Sequence, residues 1–195
     1  MHYLSFDYLS RRWGTIINII KWLWVVLSLG GLLFSGTLYA GDIEYKIKAG
    51  YLYNFTKFVT WPEDTSATFN ICILGNDPFG DLIDPIEQRT AFGKPIKLLR
   101  LENNSTLAKI SKSTLCHILF ISSSIETPPT VKDAKNVLTV GESEHFASNG
   151  GMIGFVTEDS RIKLQINRQA FQLSELKVSA KLLEVAEIIE GGNHD

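Results

Sequence analysis

The spacing of apolar positions changes along this chain and predicts its secondary structure. Over residues 42–59, apolar side chains recur at the spacing of one helix face, and Asp42 is placed to cap that helix. Trp61-Pro62 ends it, because a proline disfavours helical backbone in the residue before it. Strands are predicted at residues 68–75, 96–101, 116–121 and 137–140. The first and third of them consist mainly of adjacent apolar residues, which is typical of strands buried in a parallel sheet.

Helical segments are predicted between and after these strands. They lie at residues 79–88, 106–111, 127–134 and 144–147. Residues 152–156 and 161–166 predict an antiparallel hairpin, since the second run alternates apolar and polar side chains. Residues 170–189 have the spacing of a helix with a wide apolar face. This alternation predicts a three-layer α/β fold with a mostly parallel, Rossmann-like sheet, an antiparallel edge hairpin and a C-terminal helix.

Residues 1–40 have the pattern of an export signal. Arg11, Arg12 and Lys21 precede an uncharged apolar run over residues 22–36. A bilayer span needs about 20 apolar residues, so this run has the length of a signal-peptide core. Ala40 is the predicted last residue before cleavage, and an uncleaved membrane anchor is the alternative. We therefore expect a signal peptide at 1–40 and a single domain at 41–195 that works in the periplasm.

Charge and cysteine content limit the partners and the compartment. The chain has 19 basic and 21 acidic side chains, and residues 1–40 hold three of the basic and one of the acidic ones. The remaining, mildly acidic domain disfavours a nucleic-acid partner, whose phosphates require a basic face. In an oxidising compartment Cys72 and Cys116 predict one disulfide, and two buried free thiols are the alternative. If the first and third strands are neighbours, the two cysteines lie within bridging range.

Few groups in the sequence point to catalysis or to a metal. There is no Gly-x-Ser-x-Gly elbow and no P-loop, and no pair of carboxylates is marked as acid and base. His117 follows Cys116 within a strand, so the two side chains point to opposite faces and His117 is expected as a hydrogen-bonded core residue. His145 has no second His or Cys nearby to complete a metal site. The sequence therefore predicts no catalytic residue, no metal and no cofactor.

Two groups of residues are candidates for contact with a partner or a ligand. Tyr51, Tyr53 and Trp61 belong to an aromatic stretch with more apolar positions than one buried face needs. Asn76 and Phe79 follow the first predicted strand, at the strand ends where open α/β sheets bind ligands. Core packing is the alternative for the aromatic residues, and a helix start is the alternative for the segment that holds Asn76.

Two motifs belong to a series of blocks that occur in a fixed order. The first is Asn54-Phe55-Thr56-Lys57-Phe58-Val59-Thr60-Trp61-Pro62, and the second is Gly150-Gly151-Met152-Ile153. Further blocks lie at residues 71–80, 116–121, 137–140, 166–167 and 179–183. Together they resemble the YfiR-like family of periplasmic proteins over residues 45–189.

The resemblance implies a compact α/β domain, often a homodimer, without known enzymatic activity. It implies a repressor that binds the periplasmic region of an inner-membrane diguanylate cyclase and thereby restrains cyclic di-GMP synthesis. We expect such a cyclase, or a sensor kinase, as the partner, and for a cyclase we expect an effect on biofilm formation. The family's disulfide maps onto Cys72 and Cys116, whereas a second disulfide of its best-understood member has no cysteines in this chain. We therefore expect a non-enzymatic regulator, and the alternative is a periplasmic small-molecule binding protein.

Overall fold

The structure, a computed structural model, describes residues 39–103, 116–126 and 136–190. The predicted export signal lies outside the described residues apart from its last two positions. The helices predicted at 106–111 and 127–134 also lie outside them. The three-layer arrangement depends on those two helices and stays a prediction.

A long helix, α1 (Tyr39–Phe58), opens the described part of the chain. It begins before the predicted cap, so Asp42 lies in the first helical turn, where a carboxylate still interacts favourably with the helix N-terminus. Leu52 and Phe55 on its inner face are fully buried. The helix ends before Trp61-Pro62, as predicted. Among the described residues, no helix is both long and apolar enough to cross a bilayer.

Strands and short helices follow α1 along the chain. The strands are β1 (Val59–Thr60), β2 (Phe69–Leu74), β3 (Thr90–Ala91), β4 (Lys94–Leu101), β5 (Ile118–Ile121), β6 (Leu138–Gly141), β7 (Ile153–Glu158), β8 (Arg161–Asn167), β9 (Lys177–Val178) and β10 (Glu187–Ile189). The helices after α1 are two 3₁₀ turns (Gly80–Leu82 and Asp84–Gln88), α2 (Arg168–Gln172) and α3 (Ala180–Glu184).

Eight strands form one sheet in the order β10-β8-β7-β6-β5-β2-β4-β3. Strands β2, β4, β5, β6 and β7 run parallel, and β8 is antiparallel to β7. The predicted mixed α/β fold with a mostly parallel sheet is therefore confirmed. From β2 the chain moves to β4 on one side and then to β5 on the other. The carboxyl ends of β2 and β5 consequently form a topological switch point, where open sheets of this kind bind ligands.

Both faces of the central strands are buried. Side chains along β2 point alternately to the two faces of the sheet, and both faces are shielded from water. One face holds Phe69, Ile71 and Ile73, and the other holds Cys72 and Leu74. The first three pack in the main core with α1. The other two belong to a smaller cluster on the opposite face. Continuous burial explains why β2 is apolar at every position except Asn70, which is also buried.

The predicted C-terminal helix at 170–189 is wrong. The segment divides into α2, β9, α3 and β10 instead of one helix. The Ser179 side chain accepts the backbone N–H of Leu182 and thereby starts α3 as a separate helix. Strand β9 pairs with β1, and β10 pairs with β8. These distant partners supply the backbone hydrogen bonds that a continuous helix would otherwise make internally.

Three further predictions about local structure need correction. The β7–β8 hairpin forms as expected, but it does not lie at the sheet edge, because β10 covers β8. The helix predicted at 79–88 is instead a pair of 3₁₀ turns. Residues 144–147 form turns rather than a helix, and His145 has a positive φ of 59°, which is incompatible with helical backbone.

Candidate interaction site

The two cysteines form a disulfide, as predicted. Cys72 lies in β2, and Cys116 lies just before the neighbouring strand β5, with a Cα–Cα distance of 5.8 Å. Both residues are buried in the smaller apolar cluster. The bond closes a loop with a sequence separation of 44 residues, and a loop of that size stabilises a fold by about 4 kcal/mol in the chain-entropy model. The alternative of two free thiols is excluded, since neither cysteine is free.

A buried polar network surrounds His117 at the amino ends of the parallel strands. The His117 side chain is 1% exposed, and its Nε2 atom lies 3.0 Å from Asp64 Oδ2. The other carboxylate oxygen of Asp64 accepts Lys94 Nζ at 2.7 Å and also accepts the hydroxyl of Ser66. His117 Nδ1 accepts the backbone N–H of Asn70 at 3.0 Å. The network joins the segment before β2 to β4 and β5.

These contacts fix the tautomer of His117 and leave its imidazole without a free lone pair. Because Nδ1 accepts a backbone N–H, the ring proton lies on Nε2, which donates to Asp64. Ser66 Oγ lies 3.4 Å from that same Nε2 atom. A general base for Ser66 would need a free lone pair on the imidazole, and the single lone pair is occupied. The Ser66, His117 and Asp64 cluster is therefore not arranged as a catalytic triad.

Burial and hydrogen bonding shift the protonation of this network. Burial lowers the pKa of His117, and the hydrogen bond to Asp64 offsets that effect only in part. Partial burial tends to raise the pKa of Asp64. Hydrogen bonds from Lys94, Ser66 and His117 outweigh burial and hold the pKa of Asp64 well below its ordinary value. At neutral pH the network thus contains a neutral imidazole and a carboxylate, and that carboxylate accepts the Lys94 amino group.

A second buried charge cluster lies at the opposite, carboxyl end of the strands. Lys48 on α1 is 3% exposed, and its Nζ lies 2.6 Å from Glu44 and 2.7 Å from Glu142. The Tyr45 ring centroid is 4.6 Å from the same Nζ. Burial lowers the pKa of Lys48, but the two carboxylates outweigh it and raise the pKa above its ordinary value. Because Glu142 directly follows β6, this cluster fastens α1 to the end of the sheet.

The switch point between β2 and β5 is filled by the chain itself. Gly75 has a φ of +93°, and a Cβ there would lie 2.5 Å from Ser124 Oγ, so only glycine fits. The backbone N–H of Asn76 donates to the same hydroxyl at 2.9 Å. Phe79 is buried, with its ring centroid 4.8 Å from that of Phe120. Asn76 is exposed, whereas Phe79 is part of the core.

The aromatic candidates lie on and after α1. Tyr51 is half-buried against Phe55 and Phe155, with ring centroids 6.3 and 5.9 Å away. Tyr53 is half-buried as well. Trp61 is almost fully buried at the amino edge of the sheet. The structure does not bring the five predicted contact residues together, because Asn76 and Phe79 lie at the carboxyl edge. Their role in binding stays a prediction.

Sequence reasoning missed both charge clusters. Asp64, Lys94 and His117 are far apart along the chain, and so are Lys48 and Glu142. Only the strand order brings them together, and no local pattern carried that signal. In the described part of the chain, no three His, Cys, Asp or Glu side chains converge as a metal-binding group.

The family model that matches this chain is described as YfiR/HmsC-like and covers residues 45–187. That match spans more than half of the 195 residues and runs from α1 to the start of β10. The chain belongs to the YfiR/HmsC-like family. No curated protein matches it.

The motifs that carry the YfiR/HmsC-like resemblance have packing roles in this chain. Trp61 fills a pocket beside Phe69, with ring centroids 5.1 Å apart. Gly151 lies against the Phe146 ring, and a Cβ at Gly151 would come within 2.1 Å of that ring. Gly141 lies against the same ring, with a corresponding distance of 2.3 Å. The Phe146 ring thus requires a glycine at position 151 of the second motif.

Proposed function

We propose that this protein is a non-enzymatic periplasmic regulator that binds the periplasmic region of an inner-membrane diguanylate cyclase and restrains it. The observation that carries the proposal is the YfiR/HmsC-like family match across the domain. A regulator of this class lowers cyclic di-GMP synthesis, and with it biofilm formation, by occupying the sensory region of the cyclase. A sensor kinase with a similar periplasmic region is the second kind of partner that the proposal includes.

The disulfide supports an extracytoplasmic location. Stable disulfides form in oxidising compartments and are rare in the cytosol. Cys72 and Cys116 are bonded and buried, so the bond belongs to the folded core. An export signal at residues 1–40, with cleavage after Ala40, would deliver the domain to such a compartment.

The two buried polar clusters, around His117 and around Lys48, support a role in binding rather than in catalysis. His117 is a deeply buried titratable side chain near a serine and a carboxylate, yet its lone pair is used by Asn70. Lys48 is held between two carboxylates and is not available as a nucleophile. Both clusters fasten elements of the fold to one another. A protein of this kind acts through its surface.

The alternative is a small-molecule binding protein with its pocket at the strand ends. The switch point between β2 and β5 favours that location. Against it, Phe79 packs on Phe120 and Tyr45 and fills the crevice. A ligand would need to displace this ring or bind beside the exposed Asn76. A thermal-shift screen with small metabolites tests this alternative, and a flat response would count against it.

Gene deletion in the native host tests the proposed function. Loss of the protein should raise cellular cyclic di-GMP and increase biofilm formation. The full-length gene should restore both, whereas a version without residues 1–40, retained in the cytoplasm, should restore neither. Unchanged cyclic di-GMP after deletion would contradict the cyclase proposal.

A further inference from the structure

The turn between β3 and β4 holds an aromatic residue in an unfavourable backbone conformation. Phe92 and Gly93 are the two residues of this turn, and their φ values are +53° and +75°. Two successive positive φ values are the signature of a type I′ hairpin turn, in which asparagine and glycine are favoured. A bulky residue at the first of these positions is an outlier. The fold therefore keeps phenylalanine where asparagine would be less strained.

Phe92 is also one of the most exposed large apolar residues in the described part of the chain. Its side chain is 53% exposed, although its ring stacks on Phe69 and meets the edge of Trp61 at centroid distances of 5.8 and 5.7 Å. Phe69 is already 1% exposed and lies within the core. More than half of the Phe92 surface thus faces water. Strained residues cluster at functional positions, and exposed aromatic side chains are common binding hot spots.

Two cations lie on the same side of the sheet as Phe92. Lys57 Nζ is 4.5 Å from the Tyr53 ring centroid, and the Arg89 guanidinium is 5.5 Å from it. Both side chains are exposed, and neither has a carboxylate within 4 Å among the residues that the structure describes. Arg89 and the buried Ala91 are two residues apart in extended backbone, so their side chains lie on the same face of the sheet, which packs in the core with α1. We call Tyr53, Lys57, Arg89 and Phe92 the Phe92 surface.

We propose that the Phe92 surface is the docking site for an acidic segment of the membrane sensor's periplasmic region. Phe92 enters an apolar pocket of the partner, and partner carboxylates pair with Lys57 and Arg89. This inference rests on the proposed function and identifies the surface that performs it. The domain as a whole is acidic, whereas this surface carries two exposed cations that have no carboxylate within 4 Å among the described residues, and such cations attract and orient an acidic partner.

The observations favour a protein partner over an anionic membrane. Stable membrane association needs a large apolar face or several clustered basic residues. The Phe92 surface offers one exposed ring and two cations that are not balanced by carboxylates in the described residues. A protein pocket that encloses one ring and a few charged pairs fits that composition better.

The test measures binding of the full mature protein to purified periplasmic regions of the membrane diguanylate cyclases from the same organism. Wild-type protein should bind one of these regions with an affinity that falls as salt rises. Phe92→Asn, which suits the turn, should keep the unfolding midpoint close to wild type and weaken binding by at least about tenfold. Lys57→Glu/Arg89→Glu reverses two exposed charges that lie over the Tyr53 ring and should weaken binding by a similar factor. The matched control, Lys46→Glu/Lys97→Glu, reverses two exposed charges elsewhere and should leave the affinity within about threefold of wild type.

The outcomes separate the surface from the function. If wild-type protein binds a cyclase region and both Phe92→Asn and Lys57→Glu/Arg89→Glu bind it equally well, the Phe92 surface is not the docking site, and the proposed function stands. If wild-type protein binds none of the cyclase regions, the cyclase version of the proposed function and the assignment of the Phe92 surface to it both fall. Capture of wild-type protein, but not of Phe92→Asn, by vesicles of phosphatidylglycerol would show membrane docking and overturn the protein version.

Discussion

The indole N–H of Trp61 donates to the backbone carbonyl of His117 across 3.0 Å. This bond fastens the Trp-Pro motif after α1 to the segment that leads into β5. The His117 ring also stacks on Phe69, with centroids 4.4 Å apart. One buried histidine thus holds the end of the helix, the start of β2 and the start of β5 in one place. Its protonation should therefore affect the stability of the whole fold.

We expect the free energy of unfolding to fall as pH decreases below about 6.5. Folding lowers the pKa of His117, so below its ordinary value of 6.5 the unfolded chain binds a proton that the folded chain does not. Protonation of Nδ1 would also set a donor against the backbone N–H of Asn70. A second decline should begin below about 3.8, because the pKa of Asp64 is lowered in the folded state. Urea unfolding from pH 8 to pH 3 measures both declines.

Variants at two histidines separate this effect from general acid sensitivity. His117→Gln cannot titrate, so its stability should be lower at neutral pH but nearly constant between pH 7 and pH 5. His145→Asn removes an exposed histidine from a turn with positive φ, which asparagine tolerates, and should keep the wild-type profile. An unchanged profile in His117→Gln would contradict the role assigned to His117.

Loss of the buried Lys48 charge should be costly. Lys48→Met leaves the buried Glu142 carboxylate without its cation, and breaking such a pair typically costs about 3–5 kcal/mol. Lys48→Met/Glu142→Gln should regain more than half of that loss, because it removes both charges. Lys163→Met breaks a pair of exposed side chains, whose attraction water screens, and should leave stability close to that of wild type. Chemical denaturation of the four proteins tests the coupling, and equal losses in the single and double variants would refute it.

The disulfide should stabilise the fold without acting as a surface switch. Denatured, unreduced protein should contain no titratable thiol, since both cysteines are bonded. Cys72→Ala/Cys116→Ala should lower the free energy of unfolding by about 2–5 kcal/mol. Because both cysteines are buried, the native protein should react with reductant much more slowly than the denatured protein. Two thiols in the denatured, unreduced protein would disprove the bond.

Two glycine-to-alanine changes should have opposite effects. Gly151→Ala places a Cβ within 2.1 Å of the Phe146 ring and should destabilise by about 1–3 kcal/mol. Phe146→Leu in the same chain should recover part of that loss. Gly50→Ala introduces a Cβ with no atom within 4 Å on an exposed face of α1, and should stabilise by about 0.5–1 kcal/mol. Thermal unfolding distinguishes the two variants. A Gly151→Ala protein that is as stable as wild type would contradict the packing of Phe146 against Gly151.

Local apolar spacing was sufficient to predict α1, the buried strands and the β7–β8 hairpin. It failed over residues 170–189, because apolar side chains such as Leu176 and Leu182 also fit short elements that pair with distant strands. The disulfide was predicted because the two cysteines fall in the first and third predicted strands, and the structure makes those strands, β2 and β5, neighbours. The clusters around His117 and Lys48 could not be predicted, because their partners meet only through the strand order. The strain and exposure of Phe92 depend on backbone angles and on packing, which no local pattern of residues reveals.

Reconstituted cyclase activity tests the central claim most directly. A membrane diguanylate cyclase from the same organism would be placed in lipid nanodiscs, and its rate of cyclic di-GMP synthesis would be measured with increasing amounts of the mature protein. The account predicts a saturable fall in that rate for wild-type protein and a much weaker fall for Phe92→Asn at equal concentration. A cyclase rate that stays constant with wild-type protein, for every cyclase tested, would contradict the account.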